Sequence, residues 1–215
     1  VDCGLDEAAL QDRVRLGDAV AFAQPPIRLG DSWLVSPRLD NRVSLVALTQ
    51  CLEALAQERP AWDFVAAAVV REETDDAGST TSAYALAPQA AVVLDTTFGR
   101  TPDLPEHASF ALGAGLSNAW GPAVHPAMFR LLEQAARSAG VDLTPEFLPN
   151  LTQTDADHIQ LVLAGVPTAV ISIPILNMHT PGEIVDLGDI EQAARLLTVF
   201  ARELGHNLHL ELTHD

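Results

Sequence analysis

The chain has 215 residues, enough for one sizeable hydrophobic core or a core with a small appendage. Its 48% hydrophobic content fits a soluble globular protein, its 19% charged content is on the low side, and no apolar run approaches the ~20 residues that cross a bilayer. A formal net charge of −17, from 29 acidic and 12 basic residues, argues against nucleic acid or an anionic membrane as partner, since both reward Lys and Arg, and it permits cationic groups, including metal ions and amines.

The chain opens on Val1 rather than Met, which leaves a processed or trimmed start open, and no basic segment followed by a short apolar stretch marks a signal peptide. Cys3 and Cys51 are isolated thiols without CxxC spacing, which points to a reducing compartment and a cytoplasmic protein. Residues 1–37 are turn-rich: "RLGDAVAF" and "QPPIRLGDSWLVS" place short apolar runs between Gly-Asp pairs, a pattern of small antiparallel strands. From residue 38 the texture changes to alternating helix and buried strand. "SLVALTQCLEALAQ" has the i, i+3, i+4 spacing of an amphipathic helix. "FVAAAVV" (64–70) reads as a buried strand and "TTSAYALA" as a helix. "AAVVL" (90–94) is another buried strand and "SFALGAG" a shorter one. "PAMFRLLEQAARSAG" is a helix closed by Gly140. Asn150-Leu151-Thr152 matches a glycosylation acceptor and is read as chance. "DADHIQLVLAG" is expected to be helical and closed by Gly165, "TAVISIPI" to be a strand, and "GDIEQAARLLTVFAREL" to be the last helix. The expected fold class is α/β, with a mostly parallel sheet and helices on both faces.

In such sheets ligands bind beyond the carboxyl ends of the strands. "FVAAAVV" runs into Arg71-Glu72-Glu73, "AAVVL" into Asp95, and "TAVISIPI" into "LNMHTPGE" with His179, while Asp40 precedes the first long helix. Each alone has an ordinary reading: a solvated first helical turn, a turn starter, a loop histidine or an N-cap. Gathered in one crevice, however, four acids raise one another's pKa unless a cation neutralises them. Carboxylates with histidine suit Zn, Co or Mn, and a further carboxylate beside the ligands can act as general base.

The motifs "SPRLDNRVSLVAL", "VVREETDDAGSTTSA", "AAVVLDTTFG" and "NLTQTDADHIQLVLAGVPTAVISIPILNMHTPGEIVDLGDIEQAARLL" occur in an order that resembles the glutamyl-aminopeptidase-like metallopeptidases (metallopeptidase family forty-two, which includes the tetrahedral aminopeptidases), and "SPRLDN" is also similar to the related aspartyl aminopeptidases. The resemblance implies a zinc-peptidase-like catalytic domain over 38–215, lacking its N-terminal portion, preceded by residues 1–37 as the end of an inserted small β domain. It implies two divalent metal ions, Zn or Co/Mn, with Asp40 bridging them. Glu73 and His179 complete the first site and Asp95 serves the second, while Glu72 is the general base. Asp155 and Ala156 match a loop beside the substrate, without a ligand role. The family's upstream His-x-Asp motif has no counterpart here, so the second site is expected to be incomplete, and "EETDDAGSTTSA" is longer than the family's loop and differently composed. The implied activity is release of N-terminal residues from peptides, in a homo-oligomer and without nucleic acid or membrane as partner. The resemblance also implies a cis peptide bond between Asp40 and Asn41. A non-catalytic relative acting in binding or assembly is the second reading. A sugar hydrolase is a third, but its paired acids sit ~5–10 Å apart on separate elements and it leaves His179 without a role.

Overall fold

The computed structural model describes residues 3–58 and 60–204. In chain order the elements are α1 (Glu7–Gln11), β1 (Ile27–Leu29), β2 (Trp33–Ser36), α2 (Leu39–Leu55), α3 (Ala77–Leu86), β3 (Ala91–Phe98), β4 (Leu116–Trp120), α4 (Pro126–Ala139), β5 (Leu143–Phe147), α5 (Ala156–Ile159), β6 (Thr168–Leu176), β7 (Glu183–Asp186) and α6 (Leu187–Glu203).

The sheet is built around β6, whose continuous apolar run is buried from Thr168 to Ile175. A strand with no polar alternation must be covered on both faces. Along one side β6 pairs in parallel with all of β3, from Ala91↔Thr168 to Phe98↔Ile175. The other side is shared: β4 pairs antiparallel at Ile171 and Ser172, and β7 at Ile175 and Leu176. Pro174 falls between those two ladders, where its missing N–H costs nothing. The order continues through β2 and β1 on the β7 side, both antiparallel, and through the parallel β5 on the β4 side. The fold is thus α/β with a mixed sheet, and the strands of residues 27–36 extend one edge of it.

Helices α2 and α4 each pack against α6, and α3 packs on α5. Their ends follow local chemistry. The α4 helix starts at Pro126 behind the cap His125, whose Nδ1 accepts from the Ala127 N–H at 3.3 Å, and it stops at Gly140 with φ 61°. Asp186 caps α6 by accepting from Gly188 N–H at 2.8 Å, and it takes a second hydrogen bond from the Ser32 hydroxyl at 2.7 Å. The core includes Leu116, Met128, Leu132, Ile171, Ile173, Leu196 and Leu197, all buried to within 1%.

Several expectations change. Residues 64–70 lie outside any strand, and Val65 and Val70 are 62% and 67% exposed. Apolar β-branched sequence becomes a strand only where a ladder partner lies beside it, and none does among the described residues. "SFALGAG" contributes one isolated bridge, Gly99↔Phe110. The strand there is β4, which begins only after Gly113 and Gly115, at φ 74° and 104°. A Cβ on Gly115 would come 2.2 Å from the Asp142 carbonyl oxygen, so this approach of backbones needs glycine. In "DADHIQLVLAG" only Ala156–Ile159 is helical. The Asp157 carboxylate instead accepts from Thr152 N–H, Thr152 Oγ1 and Gln153 N–H at 2.7–2.8 Å and folds the segment back on itself.

Candidate metal centre

Three of the sequence-selected residues converge. Asp40 lies in the first turn of α2, where it and Asn41 depart from helical geometry at φ −74°, ψ 111° and φ −118°, ψ 51°, and the Asp40–Asn41 peptide bond is cis, as the resemblance implied. Glu73 lies in the turn 72–75, which hangs from the Arg71 carbonyl: the N–H groups of Thr74, Asp75 and Asp76 all donate to it at 2.9–3.2 Å. His179 lies in the loop between β6 and β7 with φ 62°. Its Nε2 is 3.1 Å from Asp40 Oδ2 and 3.4 Å from Glu73 Oε2.

Ligand atoms ~2.0–2.2 Å from a tetrahedral ion stand about 3.3–3.6 Å from one another. One ligand atom each from Asp40, Glu73 and His179 lie within 4.8 Å of one another, and this is the metal-ligand grouping among the described residues. Two carboxylates and an imidazole on that spacing fit a divalent metal ion.

Asp95 is in β3, 7% exposed, and outside that grouping. Its Oδ1 accepts from Asn41 Nδ2 at 2.7 Å and from the Thr96 N–H at 2.8 Å, and Asn41 Nδ2 also donates to the Leu94 carbonyl at 3.0 Å. Asn41 therefore fastens the start of α2 to β3. Glu72 is half-buried beside Glu73.

The charges are poorly compensated. Burial raises the Asp40 carboxyl above its usual range, and Glu73 raises it further, partly offset by His179. Burial, then the charges of Glu73, Asp155, Asp76 and Asp40, push Glu72 up to about 7. Burial, with Asp40 and Glu72 adding to it, pushes Asp95 up to about 8 despite the Thr96 N–H. Carboxylates perturbed together by burial and like charge mark a site that calls for a cation.

The backbone around the site is strained as well. Of the eight non-glycine residues with positive φ among the described residues, Arg38, Arg71, Asp76, Asn177 and His179 flank these loops, and Gln153 lies two residues from Asp155. Such conformations persist only where the surrounding structure imposes them, and they concentrate at functional sites.

Sequence reasoning passed over Glu183. It opens β7, is 2% exposed, and its carboxylate spans two elements. Oε2 accepts from Asp40 N–H at 3.1 Å and Oε1 from His179 N–H at 2.9 Å. One buried carboxylate thus holds the backbones of two candidate ligands 139 positions apart in the chain (179 − 40). The only signal was an acid four residues beyond His179 in "HTPGE". A second overlooked contact is His158 Nδ1, 2.9 Å from Asp76 Oδ2 beside the Glu72 loop.

A family model described as M42 glutamyl aminopeptidase matches residues 1–196. A lysyl aminopeptidase of Pyrococcus furiosus is 30% identical over 206 residues, covering 95% of this chain and 59% of that protein. Among solved structures, the aminopeptidase APDkam598 from the archaeon Desulfurococcus kamchatkensis superposes with a TM-score of 0.84 at 29% identity, over 92% of this chain and 56% of that one. The TET1 peptidase of Pyrococcus horikoshii, which can assemble into a tetrahedron or a large octahedral shell, shares the fold at a TM-score of 0.76 and 22% identity, over 90% and 57% of the two chains. The chain thus spans a little under three fifths of the length of the relatives it matches.

Proposed function

Because this chain belongs to the M42 glutamyl aminopeptidase family, we propose that it is the greater part of a metal-dependent aminopeptidase that releases N-terminal residues from peptides. The observation that carries this reading is the convergence of Asp40, Glu73 and His179, with the half-buried Glu72 beside them. Asp40, Glu73 and His179 would hold one divalent ion, Zn or Co/Mn. Asp40 with Asp95 would hold a second, as the bridging pattern of a dinuclear centre requires. When bound, such ions supply Lewis acidity toward the scissile carbonyl and positive charge against the surrounding carboxylates.

The proton work falls to Glu72. A half-buried carboxylate beside the candidate ligand Glu73 can take a proton from the attacking water and return it to the departing amine. Glu183 holds the Asp40 and His179 backbones in place while this happens. Asn41 ties the Asp95 carboxylate and the Leu94 carbonyl to the start of α2.

In this reading residues 1–37 are the end of a small inserted β domain and the rest is catalytic domain. Assembly into a homo-oligomer is part of the proposal, as is a cytoplasmic setting, which suits the free thiols of Cys3 and Cys51. The test is amino-acid release from a panel of peptides and chromogenic amino-acid amides, before and after chelation and on restoring Zn, Co or Mn. Release that chelation abolishes and metal restores supports the proposal. No metal-dependent release from any substrate overturns it.

A further inference from the structure

The apolar segment 64–70 lies outside the sheet with its backbone unpaired. No helix, turn or bend falls within residues 63–69, and no backbone hydrogen bond engages 64–70 among the described residues. Val65 and Val70 are 62% and 67% exposed, while Phe64 packs against the main core and holds the segment from behind. At the other end α3 lies against it: a Cβ on Gly78 would come 2.1 Å from the Val70 carbonyl oxygen. A segment held in place with free N–H and C=O groups is a template for another strand. Folded proteins blunt such edges with charge, proline or short length. The strands that end the main order obey this: β1 has three residues with Arg28 at its centre, and β5 contains Pro145. Residues 64–70 carry no charge and no proline, in a chain of net charge −17.

We propose that 64–70 is a dimerisation edge, which pairs antiparallel with the same residues of a second copy across a two-fold axis at Ala67. A two-fold interface requires a surface complementary to itself. "FVAAAVV" reads nearly the same in both directions, so this register sets Val65 against Val69, Ala66 against Ala68 and Phe64 against Val70 of the second copy. It also brings Asp63 opposite Arg71 at both ends of the ribbon. Both residues are exposed; among the described residues Asp63 has no ion pair, and Arg71 pairs with the exposed Asp75. Apolar and opposite-charge cross-strand pairs are the units that stabilise such a ladder. Glu72 and Glu73 follow the edge directly, so the two candidate sites stand at opposite ends of the shared ribbon. The interface gives a surface to the homo-oligomer proposed above and rests on that part of the reading alone.

The experiment is sedimentation equilibrium of the metal-loaded chain over a wide concentration range, with amide hydrogen exchange at its two extremes. The mass should rise reversibly from 22.9 kDa to twice that value, and exchange at 64–70 should slow as the dimer forms. Val65→Lys, on the exposed face, and Ala67→Pro, which removes the N–H at the axis, should keep the chain monomeric. Asp63→Lys and Arg71→Glu each set like charges against one another at both ends and should weaken the dimer about 10-fold. Mixing those two variants restores opposite charges at both ends of the mixed dimer and should recover wild-type affinity. Failure of the mixture to recover overturns the two-fold register and with it the proposal. A dimer whose 64–70 amides exchange as in the monomer, or that Val65→Lys and Ala67→Pro leave intact, overturns the edge and keeps the homo-oligomer. A wild type that stays monomeric throughout removes both, whether its 64–70 amides exchange freely or are already protected by other residues of the chain. Metal-dependent peptide hydrolysis is measured separately and decides only the catalytic reading.

Discussion

Replacing Glu183 by Gln tests whether the centre is preorganised by its surroundings. The carboxylate serves two backbone donors, Asp40 N–H at 3.1 Å and His179 N–H at 2.9 Å, from a residue only 2% exposed. The Gln amide has one acceptor oxygen. It can keep one of these bonds, and its NH₂ then faces the other N–H, donor against donor. A lost hydrogen bond to a charged group is worth about 1.5–3 kcal/mol, and a stranded buried donor costs a similar amount, against which removal of a buried charge is a gain. The net loss should be about 2 kcal/mol, or about 4–8 °C in Tm for a domain of this size. The backbones that move carry two of the three candidate ligands, so affinity for Zn or Co should fall about 10- to 100-fold, as it does when partners of metal ligands are removed. Thermal melts and calorimetric metal titration read the two effects separately. A Tm loss with metal affinity unchanged would refute the positioning role and leave Glu183 as a general stabiliser. No change in either would refute the hydrogen-bond reasoning itself.

Glu72→Gln should lower turnover about 10²- to 10⁴-fold while metal content and folding persist, and a variant with wild-type turnover would remove Glu72 as base. Asp189 is fully buried, accepts from Gly113 and Gly115 N–H at 2.7 and 3.2 Å, and is pushed by burial up to about 6 from 3.8. Because the folded value is the higher one, the native state holds the proton more tightly, and this stabilisation is complete below pH 3.8 and lost as pH rises through about 6. At 1.36 kcal/mol per pH unit the change amounts to about 3 kcal/mol. Urea melts from pH 4 to 7 should show the wild type losing stability relative to Asp189→Asn by that order, and parallel curves would sink the assignment. Leu132→Ala removes a side chain with 0% exposure between α4 and the rest of the core and should cost about 3–5 kcal/mol in denaturant melts, whereas a cost below about 1 kcal/mol would mean the site collapses freely.

Part of the fold and of the site is legible in the amino-acid sequence alone. The runs "AAVVL" and "TAVISIPI" announce buried strands, because a strand without polar alternation has no face to give to water. The α4 and α6 helices announce themselves through period and caps, and they extend over Pro126–Ala139 and Leu187–Glu203. Asp40, Glu73 and His179 are legible as candidates from their places at element ends and from the motif order, and the structure brings them together. These are properties that a residue and its chain neighbours possess by themselves.

What the tertiary structure decided are properties of pairs. "FVAAAVV" has the composition of a strand and no ladder beside it among the described residues, and "LTPEF" has a proline and becomes β5 because β4 runs alongside. Asp95 is bound by Asn41, and Asp155 has an oxygen with no donor among the described residues. Glu183 joins Asp40 to His179 only because β7 pairs with β2 at Ser36↔Glu183, which brings the start of α2 to the loop after β6. No local pattern encodes such a bridge, since a hydrogen bond depends on where its partner lies in space, and 143 positions separate Asp40 from Glu183.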